Sequence, residues 1–169
     1  MKILDISAGN RGIWFDKSHP CTTYVDMRPE VKPDIVADSR EIPAEVGDGF
    51  NLIVFDPPHK NNSPHFGMAR SYGCFNHEQI RSIVGETAKE VHRIAADDAL
   101  MAFKWNDHSI KLSSVLALLH PFWEPLFGHG VTHQQKGTSW VMLRRIDAFN
   151  PRPERAGELS LSSAQREGE

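Results

Sequence analysis

Short runs of apolar residues recur along the first third of the chain, separated by polar and turn-forming segments. The runs begin near Lys2, Thr22, Asp34 and Phe50, and they are rich in β-branched and aromatic residues. Runs of about four to eight such residues, bounded by turn signals, are typical of buried strands. The pattern therefore predicts four strands, each followed by small, acidic or turn-forming residues.

The pattern then changes to the period of a helix. Asn76, with Gln79 three residues later, matches a capping box and predicts the start of a helix that runs to about Ala96. The apolar positions of this segment recur at helical spacing. They are Ile80, Ile83, Val84, Val91 and Ile94.

Further strand and helix signals follow. Ala99–Trp105 predicts a fifth strand and Ile110–Leu119 an amphipathic helix, while Phe122–Phe127 and Thr138–Ile146 have the pattern of strands. Alternation of strands with helical segments predicts an α/β fold, in which a mostly parallel sheet has helices on both faces.

Composition limits the domain organisation. The 169 residues are 40% hydrophobic and 24% charged, which suits one globular domain, predicted over residues 1–148. Residues 149–169 carry two prolines, few apolar residues and mixed charge, and we expect a disordered tail. Two cysteines make no disulfide framework, and the first residues contain no long apolar signal or membrane segment. A cytoplasmic protein without a membrane partner is expected.

The most informative segment is Asp56-Pro57-Pro58-His59, which follows the fourth predicted strand. Open α/β sheets bind ligands at the carboxyl ends of their strands. Two prolines fix φ and remove backbone N–H groups, so their carbonyls can point into a cleft. One carboxylate beside a rigid turn that lacks donors indicates a site for a substrate amine.

This segment resembles the Asp/Asn-Pro-Pro-aromatic motif of class I S-adenosylmethionine (SAM) dependent amino-methyltransferases. The resemblance implies a Rossmann-like sheet with a terminal antiparallel hairpin, a SAM cofactor, and modification of exocyclic or amide nitrogens. His59 departs from the motif, because the family usually has Tyr, Phe or Trp at this place. Imidazole can stack on a base, though over less area.

The segment after the first strand resembles the cofactor loop of the same family. Small residues let the backbone approach a cofactor closely, although Ser7 stands where the family often has a glycine and Gly12 falls one residue late. Ser7-x-Gly9-x-x-Gly12 also matches a degraded dinucleotide fingerprint. The resemblance implies cofactor contacts from Asp5, Ser7, Ala8, Gly9, Asp26, Asp38, Ser39 and Asp56.

Two of these acids have distinct expected roles. Asp26 ends the second strand, where an acid can accept both ribose hydroxyls of either a NAD or a SAM cofactor. Asp38, after the third strand, would accept from the adenine amino group in the resembling family.

The amine chemistry is assigned to Asp56, Pro57, Pro58 and His59. Asp56 and the Pro57 carbonyl can accept the two N–H bonds of an exocyclic amine, which leaves the nitrogen lone pair facing the methyl group in line. Asp56 need not be a strong base, since the nitrogen becomes acidic once it is methylated. If the base lies in a duplex it must be flipped out.

The sequence therefore predicts a methyltransferase acting on a nucleobase amino group, most simply adenine N6 in DNA. The compact chain resembles phage-type orphan DNA adenine methylases. Methylation of an RNA base or a protein amide stays open, as do a SAM-binding partner subunit with little activity alone and a nicotinamide oxidoreductase. The expected partner is nucleic acid, with DNA favoured over RNA, and a homodimer or a second subunit is also open. A net charge of -3 argues against tight nonspecific binding to nucleic acid.

A few other side chains invite an interpretation. His59, His65, Cys74 and His77 have no metal-site spacing, so no metal is predicted. Lys104 and Trp105 end the fifth strand and either reach the active site or simply close the strand. Phe103 and Trp140 are expected in the core.

Overall fold

The computed structural model describes residues 1–59, 75–128 and 137–147. Within those ranges the chain forms seven strands and two α-helices. The predicted tail at 149–169, together with His65 and Cys74, lies outside the described residues. The elements are β1 (Ile3–Asp5), β2 (Thr22–Asp26), β3 (Ile35–Val36), β4 (Phe50–Phe55), α1 (His77–Ile94), β5 (Ala95–Asn106), α2 (Leu112–Leu119), β6 (Trp123–Gly128) and β7 (Thr138–Arg145). Pro29–Val31 and Ala44–Val46 form 3-10 turns.

The strands form one sheet in the order β3-β2-β1-β4-β5-β7-β6. The pairings among β1 to β5 are parallel, and β7 runs antiparallel to both β5 and β6. The predicted mostly parallel sheet with an antiparallel end is confirmed. Because β1 lies between β2 and β4, the strand order reverses there, and the carboxyl ends of β1 and β4 flank the switch point where such sheets bind ligands.

Local signals predicted most element boundaries. The Asn76 side chain accepts from the backbone N–H of Gln79 at 2.8 Å and the Gln79 side chain accepts in return at 2.9 Å, which confirms the capping box. α1 ends at Ile94 because Ala95 is already extended and begins β5, four residues before the predicted start of that strand. The third strand is shorter than predicted, at Ile35–Val36.

The core lies between the sheet and the two helices, which contact each other. Trp105 and Trp123 are fully buried, and their indole N–H groups donate to the carbonyls of Ile110 at 2.8 Å and Ala88 at 2.9 Å. Phe103 is buried as predicted. The same prediction for Trp140 was wrong: its side chain is 39% exposed, because β7 alternates and turns its neighbours Ser139 and Val141 inward instead.

The connection from β1 to β2 packs on the second strand. Residues 6–21, which join these two parallel strands, form turns and bends without an α-helix. From this connection the Trp14 ring packs edge-on against Tyr24, with centroids 5.4 Å apart, and the Arg11 guanidinium lies 3.9 Å from the centre of the Tyr24 ring. The described part of this connection therefore packs on β2 without an α-helix. No described helix has the length and apolar character needed to cross a bilayer.

Candidate active site

The candidate cofactor loop and the Asp-Pro-Pro-His segment meet at the switch point. Asp5 on β1 is in register with Val54 on β4, so the chain leaves both strands at the same edge of the sheet. Just beyond, the Ser7 hydroxyl accepts from the backbone N–H of Asp56 at 3.1 Å. A glycine could not make this bond. Ser7, which stands where the resembling family often has glycine, therefore connects the two segments directly.

Gly9 has a positive φ of 50°, which a residue with a side chain rarely adopts. Its backbone N–H donates to Asp26 Oδ2 at 2.8 Å, and the N–H of Ala8 donates to the Val25 carbonyl at 3.0 Å. These bonds hold the loop against the end of β2. Gly12, in contrast, has open space where a Cβ would lie. Packing therefore does not require a glycine at this position of the fingerprint.

Asp26 is buried and already holds a cation. Arg28 donates from its backbone N–H and Nε to Oδ1, at 2.9 and 3.0 Å, and from Nη2 to Oδ2 at 3.1 Å. Burial by itself would raise the pKa of Asp26, but the hydrogen bonds from Arg28 and Gly9 outweigh it and lower that pKa. The carboxylate is thus ionised, with protein donors on both oxygens.

Asp38 and Ser39 lie beyond β3 and have their own partners. Asp38 accepts from the Arg40 guanidinium at 3.0 and 2.6 Å, and these hydrogen bonds are the main reason its pKa is lowered. The Ser39 hydroxyl is 2.7 Å from that of Thr87 on α1. Asp38 is thus the ionised, half-exposed member of the pair, while Ser39 links the loop to the helix.

Asp5 is the most deeply buried acid of the site, at 1% exposure. The Trp14 indole donates to its Oδ2 at 2.7 Å. Among the described residues, no donor reaches Oδ1 with the distance and angle of a normal hydrogen bond. Burial raises the pKa of Asp5 to about 7; hydrogen bonds from Trp14 and Ser7 oppose this rise, and the nearby charges of Asp56 and Asp26 add to it. Asp5 therefore changes its charge near neutral pH.

Asp56 forms an ion pair with Lys104. Lys104 Nζ lies 2.6 Å from Asp56 Oδ2, and both side chains are about one-fifth exposed, at 23% and 22%. On its other side, Lys104 is in register with Trp140, whose ring centre is 6.0 Å from Nζ. Of the two interpretations of Lys104, the structure supports the one that brings it to the candidate site.

His59 lies on the far side of the two prolines. Its Nδ1 is 3.3 Å from the Pro57 carbonyl, and because a carbonyl can only accept, a hydrogen bond here requires the proton on Nδ1. The ring meets the edge of the buried Trp105, with centroids 6.2 Å apart. Among residues 1–59, 75–128 and 137–147, no group of three His, Cys, Asp or Glu side chains is placed to hold a metal ion.

Three contributors to this site were not predicted in these roles. Trp14 and Arg28 lie outside the motifs, and for Lys104 the sequence left open whether it reaches the active site or simply closes a strand, without naming Asp56 as its partner. The one usable signal for Arg28 was its place two residues after a strand-ending acid, since this spacing lets a long side chain fold back on the carboxylate. The partner of Lys104 depends on which strands are neighbours in the sheet, and Trp14 meets Asp5 because the connection after β1 folds back on that strand.

Comparison with known proteins identifies the fold. No protein-family model matches the chain, and no curated protein sequence matches it. Among solved structures, a TehB-like SAM-dependent methyltransferase from Corynebacterium glutamicum is 15% identical, with 86% of this chain and 80% of that chain covered and a TM-score of 0.61. At this identity the similarity defines the fold, which is that of SAM-dependent methyltransferases.

Two further structures have the same fold. The N-methyltransferase NodS from Bradyrhizobium japonicum, in complex with S-adenosyl-L-homocysteine (SAH), is 13% identical over 86% of this chain and 78% of its own, with a TM-score of 0.56. A 16S rRNA (adenine(1408)-N(1))-methyltransferase from Catenulisporales acidiphilia is 10% identical over 86% and 84%, also with a TM-score of 0.56. Structures with this fold thus include an enzyme that methylates an adenine of 16S rRNA.

Proposed function

We propose that the protein is a SAM-dependent N-methyltransferase that acts on an exocyclic amino group of a nucleobase, with adenine N6 in DNA as the leading acceptor. One observation carries the proposal. The N–H of Asp56, the first residue of Asp-Pro-Pro-His, donates to Ser7 of the candidate cofactor loop at 3.1 Å. A group held by that loop and an amine held by Asp56 would therefore be neighbours.

The cofactor residues suit SAM. NodS has been solved with SAH, the product that SAM leaves after methyl transfer. In this chain Gly9 has a φ of +50°, which strains any larger residue, and a Cβ there would lie 3.3 Å from Arg28 Nη2 and crowd that side chain. We assign the cofactor to Asp5, Ser7, Ala8, Gly9, Asp26, Asp38, Ser39 and Asp56. When bound, SAM supplies an electrophilic methyl group on a sulfonium.

The protein's part in the reaction is to hold the acceptor nitrogen. Asp56 Oδ2 is bound to Lys104, and no described residue donates to Oδ1, which we assign to one N–H of the amine. The Pro57 carbonyl accepts the second. Pro58 keeps this turn rigid and without donors, and His59 stacks on the base. This arrangement directs the nitrogen lone pair toward the cofactor side of the cleft.

A second acceptor class is RNA. The solved structures with this fold include an rRNA methylase from Streptococcus thermophilus and the 16S rRNA adenine methyltransferase. These neighbours support a base as acceptor and do not favour DNA over RNA. A protein amide and a partner-dependent SAM-binding subunit have no comparable support among the neighbours named above.

Replacing Asp26 with alanine is expected to weaken binding of both SAM and SAH by about 10 to 100-fold, because the ribose loses a charged acceptor for its hydroxyls. Titration calorimetry measures the effect. Arg28→Met is the matched control. It removes the guanidinium that occupies Asp26 and leaves the carboxylate, so we expect affinity to be retained or increased. Wild-type affinity in the Asp26→Ala variant would contradict the assignment.

The proposed function is tested by incubating the purified protein with methyl-labelled SAM and separate pools of duplex DNA, single-stranded DNA, total RNA and protein extract. The products are digested and identified by mass spectrometry. Labelled N6-methyladenine from DNA is the expected result. Label only in RNA would move the acceptor to the second class. SAH binding without label in any pool would overturn the proposal in favour of a partner-dependent subunit.

A further inference from the structure

Lys104 is held beside Asp56 by the sheet itself. Phe55 on β4 is in register with Phe103 on β5, so the next residue on each strand, Asp56 and Lys104, lies at the same level of the carboxyl edge. β5 continues to pair with β7 as far as Asn106, and this keeps the backbone of Lys104 ordered up to the site. The ion pair at 2.6 Å therefore follows from strand register.

The pair lies in an acidic environment. Asp5, Asp26 and Asp56 meet at one edge of the sheet, close enough for the charges of Asp26 and Asp56 to act on Asp5. Arg28 neutralises Asp26, and Lys104 neutralises Asp56. Both members of the pair are only about one-fifth exposed, and in such a pair the cost of removing two charges from water offsets much of their attraction. Stabilising the fold is therefore a weak reason for a lysine at this place. A stronger reason is that Lys104 compensates the negative charge of Asp56, the carboxylate assigned to the acceptor amine.

The ion pair also gives the two oxygens of the Asp56 carboxylate different roles. Lys104 occupies Oδ2, while no donor from the described residues reaches Oδ1. A carboxylate on a single bond can rotate, and a charge-assisted hydrogen bond to one oxygen restricts that rotation. With Oδ2 held, Oδ1 has one direction in which to accept an N–H bond. Pre-orientation of this kind accelerates a reaction without adding contacts to the substrate.

We propose that Lys104 is a positioning residue for methyl transfer: its ammonium fixes Asp56 Oδ2 so that Oδ1 faces the acceptor amine. This inference rests on the proposed function. Lys104 does not touch the reacting atoms, and it acts through Asp56. Its removal should lower kcat more than it raises KM, because the amine still binds but is no longer correctly aligned.

The test compares Lys104→Met, Lys104→Arg, Asp56→Asn and the double variant Lys104→Met/Asp56→Asn in the labelled-SAM assay, on whichever pool the wild type methylates. Lys104→Met keeps the length and apolar stem of the side chain, and Lys104→Arg keeps its charge. We expect Lys104→Met to lower kcat by about 10 to 100-fold with KM within about 3-fold, and Lys104→Arg to recover most of the rate. SAH affinity and thermal midpoint, measured in parallel, should stay near those of the wild type.

The double variant tests whether Lys104 acts through Asp56. If it does, adding Lys104→Met to Asp56→Asn has little further effect, since the group to be positioned is already altered. A wild-type rate in Lys104→Met, or fully additive losses in the double variant, would overturn the inference while leaving the proposed function intact. Absence of wild-type methylation in every pool, with SAH still bound, would overturn the proposed function and the role of Lys104 with it.

Discussion

Asp56→Ala is expected to abolish methyl transfer while leaving SAM binding largely intact, because Asp56 is only one of the eight residues assigned to the cofactor and its backbone is unchanged. The substitution removes the carboxylate that accepts the amine and later its proton, and losses of about 10²–10⁴-fold are typical for groups of this kind. The backbone N–H that joins Asp56 to Ser7 is unchanged by the substitution, so the loop stays in contact with the Asp-Pro-Pro-His segment. Lys104 is partly exposed and can be hydrated once its partner is gone.

Asp56→Asn separates shape from charge. Asparagine keeps an acceptor oxygen of similar position but lacks the negative charge and adds an N–H donor that faces either Lys104 or the amine. We expect an intermediate loss of about 10 to 100-fold in kcat. Labelled-SAM turnover and SAH calorimetry on the same preparations give both readouts. Turnover by Asp56→Ala at a rate near that of the wild type would contradict the role of Asp56 in the proposed mechanism.

Asp5→Asn is expected to change the pH dependence of stability. The folded protein raises the pKa of Asp5 from 3.8 to about 7 because the carboxyl is buried. Between these values the folded state keeps a proton that the unfolded state has lost. Stability from this group is therefore full below about pH 3.8 and is lost as the pH rises to about 7. At about 1.4 kcal/mol per pKa unit, the rise from 3.8 to about 7 corresponds to a loss of about 4 kcal/mol.

Asparagine has nearly the same shape as aspartate and carries no charge at any pH of interest. Its side-chain oxygen can still accept from the Trp14 indole, as Asp5 does at 2.7 Å. We expect little difference in the free energy of unfolding at pH 4 and below, and a variant that is more stable than wild type by about 4 kcal/mol at pH 8. Urea denaturation at the two pH values measures this. Equal pH slopes for the two proteins would show that Asp5 does not titrate in this range.

The identity of most secondary structure elements could be read from local sequence. β2 has its predicted bounds of Thr22–Asp26, and the Asn76 capping box begins α1 as expected. Both depend on residues within a few positions of one another: alternating or continuous apolar character for a strand, and a side-chain acceptor for the free N–H groups of a helix. Such signals do not need knowledge of the rest of the fold.

The connection from β1 to β2 and the exposure of Trp140 could not be read in this way. The loop at 6–21 covers Tyr24 by placing Trp14 and Arg11 on its ring, an arrangement that depends on the sheet already being formed. Trp140 is a large aromatic residue of the kind that usually packs in a core. The register of β7 with β5 instead turns Val141 and Leu143 inward and leaves Trp140 exposed. A shift of one residue would have reversed this outcome.

By itself, the sequence determined that Asp26 ends a strand, that Asp56 follows another and begins a rigid turn, and that Asp5 lies beside the candidate cofactor loop. Only the tertiary structure decided what surrounds each acid. Burial raises the pKa of Asp5 against the hydrogen bond from Trp14, Arg28 folds back on Asp26, and the neighbouring strand brings Lys104 to Asp56. Charge compensation and burial depend on which strands lie side by side, and residues 48 positions apart in sequence meet only when β4 and β5 pair.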